Sequence, residues 1–213
     1  MLETLTGETL SHLVGRLSRG PAAEDVALLG VQLCSAVHYL HGHGLLHLDL
    51  KPSNVVVDRG LAKVLDLSVA QPPGIAPPGV GTFSYLAPEQ ARGGPLSATA
   101  DVWGIGITLY EVATGDVPFD NGDPMDETDG SDLTDDDETD GRDDWYPQLE
   151  EPAPPIRSRR RLPHDLATAI DSCLRLDPAA RPTITELAAA LDATLPWQRR
   201  HVAPSPTDRR DES

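Results

Sequence analysis

Apolar side chains recur at helical spacing between Pro21 and Leu40, at Val26, Leu29, Leu33, Val37 and Leu40. Proline at the start and Gly42 and Gly44 at the end complete the signature of a helix of roughly twenty residues. The period then changes. VVVD (55–58) and LAKVLDL (61–67) are short β-branched or apolar runs joined by Asp58-Arg59-Gly60, the pattern of a β-hairpin. The stretch Gln71 to Gly81 is so rich in proline and glycine that it reads as a loop. Residues 98–114, ATADVWGIGITLYEVAT, are apolar almost all round, which predicts a helix at the centre of a domain, and Gly115 closes it. Further on, LPHDLATAIDSCLRL and TITELAAALDATL again show helical periodicity, the second opened by Pro182 and Thr183. The expected fold is mainly α with one small β-hairpin and no internal repeat.

Composition changes this picture in one place. The chain of 213 residues carries a formal charge of −17, and residues 120–144 hold thirteen of its acidic side chains against a single arginine, Arg142. A segment with so few apolar residues and so much like charge cannot repay its ordering entropy, so a disordered acidic insert is expected there. The alternative to a solvated insert is docking on a basic partner or on the chain's own Arg157, Arg159, Arg160 and Arg161. A calcium-loop template centred on Gly130 puts Met125 and Asp136 where aspartate and a bidentate glutamate are needed, so that reading fails. The polar tail 196–213 is expected to be flexible. The net charge argues against nucleic acid as a partner. No apolar run is long enough for a membrane span and no basic-then-apolar leader opens the chain, so a soluble, cytoplasmic protein is expected. Cys34 and Cys173, far apart and without CxxC spacing, read as buried free thiols.

Between the long helix and the hairpin lies HLDLKPSN (47–54), which sets an aspartate, a lysine and an asparagine between two hydrophobic segments. Turn chemistry alone accounts for such residues, but three more landmarks follow in order: Asp66-Leu67-Ser68, GTFSYLAPE (81–89) and DVWG (101–104). Together they resemble the C-terminal lobe of eukaryotic-type serine/threonine protein kinases of bacterial character, matching the catalytic loop, the metal-binding DFG site, the APE segment and the central helix. The resemblance runs from Met1 to about Leu195, so residues 1–119 and 145–195 are expected to form the kinase-like C-lobe. It implies ATP and Mg²⁺ as cofactors and a protein substrate or partner. Carried over residue by residue, it implies Asp49 as catalytic base, Lys51 at the γ-phosphate, Asn54 and Asp66 as metal ligands, and Thr82 steadying Asp49 and Lys51. Backbone near Glu3 and Leu5 takes the place that pairs with adenine, with Val56 under the ring. Arg181 matches the arginine that ion-pairs with the APE glutamate, here Glu89. The imidazoles of His38, His41, His43 and His47 are expected to serve a helix end and a buried position rather than a metal.

Departures from the family pattern carry their own expectations. Leu48 stands where an arginine usually precedes the catalytic aspartate, which leaves a phosphorylated activation loop without a cation there. Leu67-Ser68 replaces Phe-Gly, with the leucine expected to pack in the aromatic's place. No glycine-rich GxGxxG occurs in the sequence, and the resemblance starts at the linker between lobes. It therefore implies a C-lobe with the N-lobe absent, inactive as it stands, whose uncovered face favours self-association. The alternatives are a non-catalytic pseudokinase or docking module, and a small-molecule phosphotransferase of the aminoglycoside-kinase type, which shares an HxD…N loop but generally lacks the other landmarks.

Overall fold

The structure, a computed structural model, describes residues 6–17, 20–119 and 146–196. The acidic segment 120–144 and the tail beyond Pro196 lie outside the described residues, as do Glu3 and Leu5. Helices dominate. α1 (Leu10–Gly15), α2 (Ala23–Gly42), the short α3 (Pro88–Arg92), α4 (Ala98–Thr114), α5 (His164–Cys173) and α6 (Ile184–Ala193) appear in that order.

α4 is the axis of the core, as its all-round apolar sequence predicts. Trp103, Ile105, Ile107, Leu109 and Tyr110 are all buried, and α2, α5 and α6 pack around them. At Gly106 a Cβ would sit 2.4 Å from Cys173 Cβ, so α4 and α5 approach at a distance that only glycine permits. The helix ends at Gly115 in the left-handed conformation, whose N–H donates to Glu111 O at 2.7 Å. α6 starts where Pro182 and Thr183 indicated: Thr183 Oγ1 accepts from Glu186 N–H at 3.2 Å and Thr183 N–H donates to the Glu186 carboxylate at 2.8 Å. These bonds to Thr183 lower the Glu186 carboxyl below its ordinary range. Arg160 donates to Ala113 O at 2.6 Å and to Pro21 O, fastening the proline-rich connector to the end of α4 and the entry to α2. Both cysteines are free and buried. Among the described residues no helix is long and apolar enough to cross a membrane.

The predicted hairpin is present as β2 (Val55–Asp58) and β3 (Leu61–Val64), antiparallel with Val55 opposite Val64 and Asp58 opposite Leu61. Arg59 and Gly60 both adopt positive φ, at 52° and 80°, the geometry that lets a two-residue turn follow the strand twist. Gln32 on α2 braces the turn, donating to Gly60 O at 3.1 Å and accepting from Ala62 N–H at 2.5 Å. The β content exceeds the expected single hairpin in two places. β1 (Glu8–Thr9) adds a third strand beside β2, and its Thr9 also caps α1 by accepting from His12 N–H. β4 (Gly74–Ala76) pairs with β5 (Gly94–Leu96), so the Pro/Gly-rich stretch read as a loop holds a short strand. Proline and glycine hid it because a three-residue strand needs only Ile75 and Ala76 between turns.

Candidate active site

The 47–54 loop leaves α2 and enters β2, and α4 fixes its start. Asp101, in the first turn of α4 and 1% exposed, accepts from His47 N–H at 2.9 Å and Leu48 N–H at 2.8 Å, and contacts His41 Nε2 at 2.8 Å. A carboxylate near a helix N-terminus is favoured by the helix dipole, and here it also satisfies backbone donors that no strand would pair. Leu48 is held at φ 66°, a conformation that costs an ordinary residue roughly 1–2 kcal/mol and persists because both sides of it are tied. The His47 ring spans the next gap: Nδ1 accepts from Asp49 N–H at 3.3 Å and Nε2 donates to Leu65 O at 3.0 Å.

Asp49, Lys51, Asn54 and Thr82 meet in one hydrogen-bonded cluster. Thr82 Oγ1 donates to Asp49 Oδ1 at 2.6 Å and accepts from Lys51 Nζ at 2.5 Å. Lys51 Nζ also lies 3.2 Å from Asp49 Oδ2. A 3₁₀ turn at Pro52–Asn54, closed by Asn54 N–H to Lys51 O, folds the asparagine back so that its Nδ2 donates to Asp49 O and Asp49 Oδ2, each at 2.9 Å. That orientation commits the amide nitrogen and leaves Asn54 Oδ1 as the side chain's acceptor. Asp66 is brought alongside by its neighbour, since Leu65 N–H donates to Asn54 O at 2.8 Å. Its own φ is 62°, and its carboxylate is exposed. Hydrogen bonds from the Ser68 side chain and backbone hold that carboxyl below the ordinary range, helped by the charge of Lys51. Leu67 departs from expectation: it is 52% exposed and packs in no aromatic's place, because the left-handed turn at Asp66 sends it outward.

Val56 lies in the middle strand of the sheet, buried, between Thr9 and Lys63. Arg181 and Glu89 form a two-pronged ion pair at 2.7 and 2.9 Å, with the guanidinium also donating to Arg175 O, Thr99 O and Leu176 O and lying 5.0 Å from the Trp103 ring centre. Sequence reasoning gave no role to three further residues. Asp101 was quoted only as part of a landmark. Gln90 ties the 47–54 loop to the 79–82 segment. Glu111 accepts from the Tyr85 hydroxyl at 2.6 Å; burial raises both groups, the tyrosine further by the Glu111 charge. A polar residue at a helix position that periodicity marks as apolar is the one signal that points to Asp101 and Glu111.

No group of three or more His, Cys, Asp and Glu side chains placed to hold a metal ion occurs among the described residues. Asn54 Oδ1 and the Asp66 carboxylate are nonetheless hard oxygen donors of the kind Mg²⁺ takes, one or two from protein together with waters and phosphate oxygens. The arrangement thus offers an oriented carboxylate, an adjacent ammonium and two hard oxygen donors at the rim of one loop.

The Protein kinase domain family matches residues 1–191. A serine/threonine-protein kinase PknB of Mycobacterium tuberculosis is 31% identical over 205 residues, covering 90% of this chain and 29% of that protein. PknB of Mycolicibacterium smegmatis is 36% identical over 130 residues, covering 56% of this chain and 20% of that protein. A probable serine/threonine-protein kinase PknB of Lactococcus lactis is 36% identical over 129 residues, again 56% and 20%. The chain therefore spans less than a third of the length of these curated relatives.

Proposed function

Given that the chain belongs to the protein kinase domain family, we propose that it carries the phosphoryl-transfer half of a serine/threonine kinase site, moving the γ-phosphoryl group of ATP to a protein hydroxyl with Mg²⁺. The observation that carries this reading is the Asp49 carboxylate, held by Thr82 on one oxygen and by Asn54 and Lys51 on the other. In transfer, the substrate hydroxyl oxygen forms its bond to the γ-phosphorus as the bond to the β-phosphate oxygen breaks, and the hydroxyl proton passes to Asp49. Thr82 and Asn54 fix where that carboxylate points, which is the positioning on which such a reaction depends. Lys51 compensates charge on the transferred group. Asn54 and Asp66 would hold the metal, which when bound would screen the phosphate oxygens. Val56, buried in the middle strand, supports the adenine face. The setting is cytoplasmic, where ATP is available, and the substrate is a protein.

A second reading has one feature in its favour: Leu67-Ser68 stands where the family pattern has Phe-Gly after the metal-binding aspartate, and Leu67 is 52% exposed. On that reading the chain binds nucleotide or a partner protein without transferring phosphate. One experiment separates the two. Transfer of labelled phosphate from Mg-ATP to a protein substrate should fall by about a hundredfold or more in Asp49→Asn, with nucleotide binding kept. Transfer that does not depend on Asp49 would refute the first reading, and nucleotide binding without any transfer by the parent chain would favour the second.

A further inference from the structure

Gln90 is the third residue of α3 and is 2% exposed. Its carboxamide is fully used. The oxygen accepts from Ala87 N–H at 3.1 Å. Nε2 donates to Leu48 O at 2.8 Å and to Val80 O at 2.7 Å. One carbonyl belongs to the residue just before Asp49; the other lies two residues before Thr82. Between them Gly81 sits at φ +125°, where a Cβ would meet Leu48 O at 2.7 Å and Gln90 Nε2 at 3.2 Å, so the two segments pass at a distance no other residue allows.

The chemistry of this contact is specific. Two carbonyl oxygens facing one buried side chain require a group with two N–H donors and no charge to desolvate. A carboxylate would repel both carbonyls, and a hydrocarbon would leave both acceptors bare. Leu48 is also the left-handed residue, with its N–H held by Asp101 and its C=O by Gln90. Freeing the carbonyl leaves the Leu48–Asp49 peptide held on one side alone, by Asp49 N–H to His47 Nδ1 at 3.3 Å, so the Asp49 side chain beyond it is less firmly set against Thr82.

We propose that Gln90 is a positioning residue for Asp49: a neutral amide clamp that holds the 47–54 loop against the 79–82 segment and thereby sets the Thr82–Asp49 hydrogen bond. Leu48 supplies no cation to that segment, and the loop's Lys51 is already engaged by Thr82 and Asp49, so this clamp ties the two together without phosphorylation. The catalytic consequence rests on the phosphoryl-transfer reading above; the clamp does not.

The test uses the full 213-residue chain with Gln90→Met, of similar length but without donors, and Gln90→Glu, read by amide hydrogen exchange and mass spectrometry. In Gln90→Met, peptides covering 47–51 and 79–84 should exchange at least about tenfold faster, while 98–114 keeps the parent rate. Gln90→Glu should show the same loosening when ionised. It should regain protection relative to the parent as the pH falls and its carboxyl again donates, a recovery that methionine cannot show. Unchanged exchange at 47–51 and 79–84 would overturn the proposal, and so would acceleration spread evenly through 98–114, the mark of a merely structural role. In transfer assays on the same variants, kcat should fall while the nucleotide KM stays. Local loosening in a chain whose parent transfers no phosphate would uphold the clamp and remove the kinase reading; Asp49-dependent transfer in a variant that does not loosen would do the reverse.

Discussion

Replacing Asp101 by alanine removes the acceptor that fixes the start of the 47–54 loop. The structure supplies the terms. His47 N–H at 2.9 Å and Leu48 N–H at 2.8 Å both lose their partner in a closed interior. Each such orphaned donor costs roughly 1–3 kcal/mol, and loss of a carboxylate from the first turn of α4 adds about 0.3–1 kcal/mol. His41 is partly exposed and can turn to water, so its lost contact adds little. Asp101→Ala should therefore cost about 4 kcal/mol, a large share of the roughly 5–15 kcal/mol that holds an ordinary domain together. Asp101→Asn keeps one acceptor and points an NH₂ at the other backbone donor, so about half that cost is expected. Urea unfolding of the full chain, followed by far-ultraviolet circular dichroism, reads both as shifts of the midpoint at constant slope. An alanine variant within about 1 kcal/mol of the parent, or an asparagine variant less stable than the alanine one, would refute the reasoning.

Two further outcomes follow from other contacts. Arg181→Met leaves the half-buried Glu89 carboxylate and three carbonyl acceptors without their donor, and should lower unfolding stability by about 3–5 kcal/mol; a loss under about 1 kcal/mol, the value of a surface ion pair, would contradict this. Burial raises the Glu111 carboxyl, with the bond from Tyr85 pulling the other way. A raised folded-state value means that the native chain holds this proton more tightly than the unfolded chain. The group's stabilisation is thus fully present below the unfolded value and lost as the pH rises through the folded one. Stability measured against pH should lose that component in Glu111→Gln, and curves for the two chains that run parallel from acid to neutral would contradict it.

The sequence made the centre of the molecule legible because burial leaves a strong mark. The all-round apolar run of α4, the Asp58-Arg59-Gly60 turn and the Pro-Thr start of α6 each express a local rule that tertiary contacts did not override. The cluster of Asp49, Lys51, Asn54 and Thr82 was approached through the order of landmarks, and the structure gathers those four side chains. What stayed hidden depends on partners distant in the chain. β1 is two residues long and exists through its pairing with β2. β4 lies in a stretch whose composition argues for a loop. Leu67 looked like a core residue until the positive φ at Asp66 turned it to solvent. Arg160 read as a free surface cation, yet its acceptors are carbonyls on α4 and at the entry to α2. Gln90 carries no periodic signal at all, since one buried amide among surface-type residues is visible only once Leu48 and Val80 are seen beside it.

Phosphoryl transfer by this chain needs two oxygen donors and a carboxylate at one phosphate site. Mn²⁺ in place of Mg²⁺, added with ATP to the isotope-labelled chain, reports this directly by paramagnetic broadening of nuclear resonance signals. The predicted result is broadening of the Asn54 side-chain amide and the Asp66 backbone amide, accompanied by Asp49 and Lys51 and abolished in Asp66→Asn. Broadening confined to the acidic stretch 120–144, with Asn54 and Asp66 left sharp, would contradict it.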